Sequence, residues 1–119
     1  MAERLPRILL HVEGAALGVA AIALYFERGE SLLLFVALIL APDVSLLGYL
    51  AGGRAGAVAY DFAHTLSVPL VLGLAGYLAG SDLVVAIALV WIAHIGVDRA
   101  IGYGLKYPTG FKDTHLQRV

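Results

Sequence analysis

The sequence predicts an all-α integral membrane protein, a bundle of four antiparallel transmembrane helices. Of its 119 residues, 61% are hydrophobic and only 14% are charged, and a soluble domain of this size has too much surface to cover with so apolar a composition. The charged residues also cluster at the two ends and in short connections, which leaves long apolar stretches between them. A membrane is therefore the solvent that we expect for this chain.

Four apolar segments are each long enough for the roughly 20 residues that a hydrocarbon core requires: residues 8–26, 32–50, 55–79 and 83–105. The first has no small-residue cleavage site behind it, so we interpret it as a span and not as a signal peptide. Pro42 and Pro69 fall within the second and third segments, where neighbouring helices can satisfy the carbonyls that a proline frees. The connections are short and contain Gly, Ser or Asp, which predicts that consecutive helices are antiparallel neighbours.

The basic residues indicate the orientation of this bundle. All but Arg28 of the eight Lys and Arg residues fall on one predicted side of the membrane: Arg4, Arg7, Arg54, Arg99, Lys106, Lys112 and Arg118. Because Lys and Arg near span ends are retained in the cytoplasm, we expect both termini there and a multi-pass location in the inner (plasma) membrane. We expect a single domain over residues 1–119, with a short cytoplasmic tail from about residue 106.

Composition excludes two other classes of function. The formal net charge is −1, so nothing indicates a nucleic-acid partner. The chain contains no cysteine, which excludes disulfides and thiolate metal sites. Two identical strings, GYLAG at residues 48–52 and 76–80, have the small-residue spacing that lets membrane helices approach closely. Both strings lie at predicted helix ends, so C-terminal capping is an equally good interpretation.

Ionisable residues interrupt all four apolar segments. They are Glu13, Asp43, Asp61, His64, His94 and Asp98. Counted along the helical rise, they all lie roughly 9 to 16 Å from the cytoplasmic ends of their segments, although the chain crosses in alternating directions. Asp61 and His64 are three residues apart, and His94 and Asp98 are four apart, so each pair shares one helix face. The sequence therefore predicts one polar layer to which every helix contributes.

Isolated charges in this layer would be costly, since one central aspartate costs roughly 2.5 to 3.5 kcal/mol on the insertion scale. A divalent cation would neutralise the carboxylates and use the histidines as neutral ligands. The predicted metal ligands are Asp61, His64, His94 and Asp98. With nitrogen and oxygen donors and no sulfur, zinc, iron and manganese are all candidates. The alternatives are a hydrogen-bonded helix linkage at Glu13 and a salt bridge between Asp98 and Arg99 at the membrane edge.

Three motifs cover much of the chain: APDVSLLGYLAG at residues 41–52, YDFAHT at 60–65 and WIAHIGVDRAIGYGLKY at 91–107, followed by Phe111 and THL at 114–116. With these motifs the chain resembles the DUF4260 family of small bacterial membrane proteins. The resemblance implies a four-helix membrane protein of unknown function and supplies no activity. More loosely, the layout is similar to that of the YdjM-type membrane-bound metal-dependent hydrolases, which also place His and Asp on short-looped membrane helices.

The function that we expect is a metal-dependent hydrolase acting on a lipid or another amphiphile, with Asp43 or Glu13 as general base. Arg99 and Lys106 lie near the expected headgroup level and could bind an anionic headgroup, and His115 in the tail could supply a further ligand. The same polar layer could instead serve a proton or cation carrier. It could also only specify helix packing in a non-catalytic membrane subunit. We further expect membrane lipid as a partner and pairing with a second copy of the chain.

Overall fold

The computed structural model describes residues 4–102, and this part of the chain is helical, with no strand. Helix α1 spans Leu5–Glu27, α2 spans Leu32–Leu38, and a 3₁₀ helix follows at Ala41–Ala51. Helix α3 spans Gly53–His64, α4 spans Ser67–Leu78 and α5 spans Asp82–Ala100. The all-α prediction is thus confirmed for the described residues.

Three stretches within residues 4–102 are long and apolar enough to cross a membrane: Leu5–Glu27, Gly53–Leu78 and Asp82–Ala100. This finding is consistent with a membrane protein. A fourth apolar stretch, Leu32–Gly48, is shorter. The predicted segments at residues 32–50 and 55–79 are each divided into two shorter helices near the proline that the sequence places within them.

Both interruptions have the same physical cause. A proline in a helix lacks its N–H, and its ring clashes with the carbonyl four residues earlier. Helix α2 ends at Leu38, four residues before Pro42. Helix α3 ends at His64. The next residue, Thr65, lies four residues before Pro69 and has an extended backbone with φ −88° and ψ 138°. Each proline therefore ends the helix that precedes it.

Helix α5 is the central element of the fold. Ten of its residues are buried, and it packs against both α1 and α4. The core between α1 and α5 contains Ala21 and Tyr25 from α1 and residues between Val85 and Ala93 of α5, with Phe35 of α2 packed against it. Helix α3 packs mainly against the 3₁₀ helix. The cleft between α5 on one side and α3 with the 3₁₀ helix on the other contains the side chains of Asp43, His64, His94 and Asp98.

Helices α1 and α5 approach each other at backbone distance. Gly14 and Gly18 on α1 face Gly96 on α5, and a Cβ built on Gly96 would lie 2.5 Å from the nitrogen of Gly18 and 2.7 Å from the oxygen of Gly14. Two glycines four residues apart are the small-residue pattern of closely packed membrane helices. This contact fixes the position of α5 along the axis of α1, and with it the position of the side chains on α5.

The two GYLAG strings combine capping and packing within one chain. Gly52 and Gly80 have positive φ values of 119° and 73°, which glycine adopts without strain. At the second string, the Ser81 N–H donates to the Gly76 oxygen at 2.8 Å, the bond of a Schellman helix end. A Cβ on Gly48 would meet a side chain of α3, and one on Gly76 a side chain of α5. The capping interpretation therefore holds for the second glycine of each string.

Candidate metal centre

Four side chains from three elements converge in the cleft beside α5. They are Asp43 of the 3₁₀ helix, His64 at the end of α3, and His94 and Asp98 of α5; we call them the ligand group. One ligand atom from each lies within 4.8 Å of all the others. His94 and Asp98 share a helix face because they are one turn apart, as their spacing predicts. A group of this kind can hold a metal ion.

The distances within the ligand group fit a single ion. The Nε2 atoms of His64 and His94 are 3.1 Å apart. Asp43 Oδ1 lies 3.1 Å from His64 Nε2 and 3.2 Å from His94 Nε2, and Asp98 Oδ2 lies 3.1 Å from His94 Nε2 and 3.5 Å from His64 Nε2. Four ligands arranged tetrahedrally around zinc at about 2.0 Å would be about 3.3 Å from one another. The two imidazoles therefore stand near ligand spacing from each other and from both carboxylates, and the two carboxylate oxygens lie within 4.8 Å of each other.

Backbone carbonyls fix the tautomer of both imidazoles. His64 Nδ1–H donates to the Tyr60 oxygen at 2.9 Å, and His94 Nδ1–H donates to the Ile39 oxygen. A carbonyl can only accept, so in each neutral ring the proton lies on Nδ1 and the lone pair on Nε2. Histidines that bind metals commonly donate their other N–H to a carbonyl in this way. Both rings thus turn a ligand nitrogen toward the centre of the group.

All four converging atoms are acceptors, and they are poorly hydrated. The side chains of His64 and His94 are 3% and 4% exposed, and that of Asp98 is 17% exposed. Asp43 is 40% exposed, so the group is buried at its imidazole side and open at this carboxylate. Lone pairs and negative charge facing one another out of water are unfavourable unless a cation or a proton lies between them.

The break between α2 and the 3₁₀ helix supplies the carbonyl that orients His94. In a continuous α-helix the Ile39 oxygen would accept from the N–H of Asp43. The Asp43 N–H instead donates to the Leu40 oxygen at 3.0 Å, and the Ile39 oxygen accepts from His94. Pro42 therefore has two effects, because it frees this carbonyl and it sets the adjacent Asp43 in the 3₁₀ helix.

The break after α3 is stabilised from α5 in a similar way. Trp91 Nε1–H donates to the Ala63 oxygen, and Arg99 Nη2 donates to the His64 oxygen at 3.4 Å. The ring of Tyr60 stacks on that of His64, with centroids 3.7 Å apart and planes 9° from parallel. These contacts satisfy carbonyls that the missing helical turn leaves open, and they hold the His64 ring at the end of its helix.

The structure brings together three of the four predicted ligands and replaces the fourth. Asp61 is partly buried on α3, but it is not one of the four residues of the ligand group among those that the structure describes. It lies about 4.5 Å before His64 along the helix axis. Asp43, which we predicted as a general base, reaches the same imidazole from the 3₁₀ helix and takes that place.

Glu13, the other predicted base, does not join the ligand group. Its side chain is exposed on α1, because the adjacent Gly14 is the residue that faces α5 and consecutive helical side chains point about 100° apart. Arg99 is partly buried and contacts the His64 carbonyl. Lys106 and His115, predicted for a headgroup contact and a further ligand, lie outside the described residues.

Three features that hold the ligand group had no role in the sequence analysis: the Tyr60 ring, the Trp91 indole and the Ile39 carbonyl. The signal that could have indicated them is the pair of prolines. Each proline releases carbonyls near an ionisable residue, and buried carbonyls must find donors on a neighbouring helix.

The DUF4260 family, described as a domain of unknown function, matches residues 7–119. No curated protein and no solved structure matches the chain. The matched range includes all four residues of the ligand group.

Proposed function

The chain belongs to the DUF4260 family, a domain of unknown function, and we propose that it is a metal-dependent hydrolase of the inner membrane that acts on a lipid or another amphiphile. The observation that carries the proposal is the convergence of two Nε2 atoms 3.1 Å apart with two carboxylate oxygens, each 3.1 to 3.5 Å from both nitrogens. A divalent ion would neutralise this group and could activate a water molecule.

The proposal includes four membrane crossings, with both termini and the ligand group toward the cytoplasm. Three long apolar helices together with the shorter apolar stretch Leu32–Gly48 support four crossings. The placement of the basic residues supports the orientation, since all but Arg28 fall on one predicted side. In this orientation the proposed site faces the cytoplasmic leaflet, where lipid headgroups and water are both available.

An ion held by the ligand group would activate a water molecule that gives up a proton and serves as the nucleophile toward the carbonyl carbon or the phosphorus of the substrate. The bond to the leaving alcohol breaks, and the alcohol oxygen takes up the proton. Asp43 is the best candidate to carry this proton, because it is the most exposed member of the ligand group. Its second carboxylate oxygen can accept the proton while Oδ1 faces the imidazoles.

Two nitrogen and two oxygen donors suit zinc, iron and manganese. Magnesium is a poorer fit because it prefers oxygen ligands alone. The ligand group contributes four donors, and a six-coordinate ion such as iron or manganese would keep positions for water and substrate.

The test is the metal content of the purified full-length protein by mass spectrometry. We expect bound metal in the wild type and little in His64→Ala or His94→Ala. The matched control is His11→Ala, because His11 lies outside the ligand group and donates to the Ala100 oxygen at 3.0 Å; it should retain the metal. Equally low metal in all four proteins would overturn the proposal.

A second assay separates metal binding from catalysis. The metal-loaded protein and a chelator-treated sample are given fluorogenic carboxylic and phosphate esters with one alkyl chain. We expect hydrolysis that requires the metal and disappears in His94→Ala. Metal binding without any hydrolysis of either ester class would overturn the hydrolase assignment.

One observation favours a second candidate, a carrier of protons or cations. Two apolar segments are interrupted beside the ligand group, and discontinuous helices at mid-membrane depth are typical of transporter sites. Ion flux into proteoliposomes that is abolished by Asp43→Asn, together with no hydrolysis, would favour the carrier.

A further inference from the structure

An apolar cavity of 330 Å³ lies beside the ligand group. Its lining comes from Leu38, Ala41 and Pro42, from Ala63, and from Ile87 and Trp91. The two polar groups in its lining side chains already have partners. The Ser45 hydroxyl donates to the Pro42 oxygen at 2.8 Å, and the Trp91 indole N–H donates to the Ala63 oxygen. The cavity therefore offers its occupant only apolar contacts.

The same three elements that supply the ligand group also line the cavity. Pro42 directly precedes Asp43, and Ala63 directly precedes His64. Helix α5 carries the lining residues and the ligands on one continuous face. The spacing is four, three and four residues along Ile87, Trp91, His94 and Asp98. Each of the three elements that supplies a ligand thus also supplies cavity wall immediately beside it.

We propose that this cavity binds one acyl or alkyl chain of an amphiphile, so that the bond next to its headgroup lies at the ligand group. The inference rests on the proposed hydrolase function and names its substrate class, an amphiphile that inserts a single chain. The volume of 330 Å³ is near the lower end of the roughly 300 to 1,000 Å³ of small-molecule pockets. The size and the apolar lining suit one flexible chain.

Trp91 provides a direct reporter, because it is the single tryptophan of the chain and lines the cavity. A lysophospholipid with a brominated acyl chain is titrated into the purified full-length protein in a bromine-free detergent, and tryptophan fluorescence is followed. We expect saturable quenching. Ala63→Leu fills the cavity from α3 and should weaken the apparent affinity by about tenfold or more.

The matched control is Ala23→Leu, the same enlargement at an exposed position of α1, which should behave as the wild type. Ala41→Leu fills the cavity from the 3₁₀ helix and guards against a folding defect particular to Ala63→Leu. Quenching that rises linearly without saturation, or that saturates identically in the wild type and in both filled variants, would overturn the proposal. The first pattern is that of lipid at the outer surface, and the second that of binding elsewhere.

The titration is run with and without added zinc, so that this proposal and the proposed function fail separately. Saturable, variant-sensitive quenching in a protein that binds no metal would leave the chain site standing and overturn the metal-dependent hydrolase. Metal binding and ester hydrolysis with no saturable quenching would overturn the chain site and leave the metal-dependent hydrolase standing.

Discussion

The Nε2 atoms of His64 and His94 face each other at 3.1 Å, while the Nδ1–H of each ring donates to a backbone carbonyl. Two neutral rings held in this tautomer turn lone pairs toward each other, and Asp43 and Asp98 add carboxylate oxygens at the same point. Such an arrangement is favourable when a positive ion lies between the rings. The helix breaks maintain it, because they supply a carbonyl for one ring and end α3 at the other.

The carboxylates distinguish the ligand set of the structure from the one that sequence spacing predicts. We expect Asp43→Asn and Asp98→Asn to lower zinc affinity by more than about 100-fold, since losing even a group that only orients a ligand costs roughly 10- to 100-fold. Asp61→Asn should leave the affinity unchanged. Competition with a chromogenic chelator measures all three. A loss in Asp61→Asn equal to that in Asp43→Asn would restore the sequence-based set.

Pro42 should matter to the metal site through the carbonyl that it frees. In Pro42→Ala the helix can continue, and the Asp43 N–H then competes with His94 for the Ile39 oxygen. We expect metal affinity to fall by roughly 10- to 100-fold, as for other groups that orient a ligand. The control is Pro6→Ala, because Pro6 lies in the first turn of α1, where a proline breaks no helical bond. Unchanged affinity in Pro42→Ala would contradict the role of the break.

Sequence reasoning could predict the helical class, because hydropathy indicates it. The rise per residue gave all the polar residues a similar expected depth. Sequence reasoning also predicted the pair on α5, since His94 and Asp98 lie one turn apart on a helix that the structure shows to be continuous. Height does not determine the direction in which a side chain points. Glu13 has a suitable depth, but it is exposed because Gly14 is the residue that packs on α5.

The sequence predicted Asp61 as a ligand, whereas the ligand group contains Asp43. The spacing of residues along the chain could not have shown this difference. Asp61 and His64 both lie within α3, which ends at His64, so a shared helix face alone does not determine which carboxylate reaches the imidazole. The preceding segment changes to a 3₁₀ helix, whose tighter turn alters the direction of each side chain. The direction of Asp43 therefore follows from which carbonyls Pro42 releases and which donors on α5 reach them, and both are tertiary contacts.

The glycine contact between α1 and α5 predicts unequal effects of two alanine substitutions. In Gly96→Ala the new methyl would press on the backbone of Gly18 and Gly14, and overpacking of this kind costs roughly 1 to 3 kcal/mol. In Gly18→Ala the nearest atom is the carbonyl carbon of Gly96 at 3.4 Å, an ordinary contact, so the effect should be small. Detergent-induced unfolding followed by circular dichroism measures both. Equal destabilisation would show that the two helices do not cross as the structure has them.

The lack of cysteine in the chain allows a clean test of how often it crosses the membrane. Helix α2 and the 3₁₀ helix have 7 and 11 residues. Because a 3₁₀ helix rises about 2.0 Å per residue against 1.5 Å in an α-helix, together they can extend roughly 32 Å. A hydrocarbon core is about 30 Å thick, so this interrupted segment is still long enough to cross.

We therefore expect a membrane-impermeant maleimide to label Glu30→Cys and Ala79→Cys in intact cells, and Ala51→Cys only after the cells are permeabilised. These three positions lie in or beside connections between helices, so labelling reports their side of the membrane. If Ala51→Cys instead reacts from outside together with Glu30→Cys, α2 and the 3₁₀ helix do not cross the membrane but return to the outer side. The chain would then cross three times, its two termini would lie on opposite sides, and the ligand group could no longer be assigned to the cytoplasmic leaflet from the basic residues.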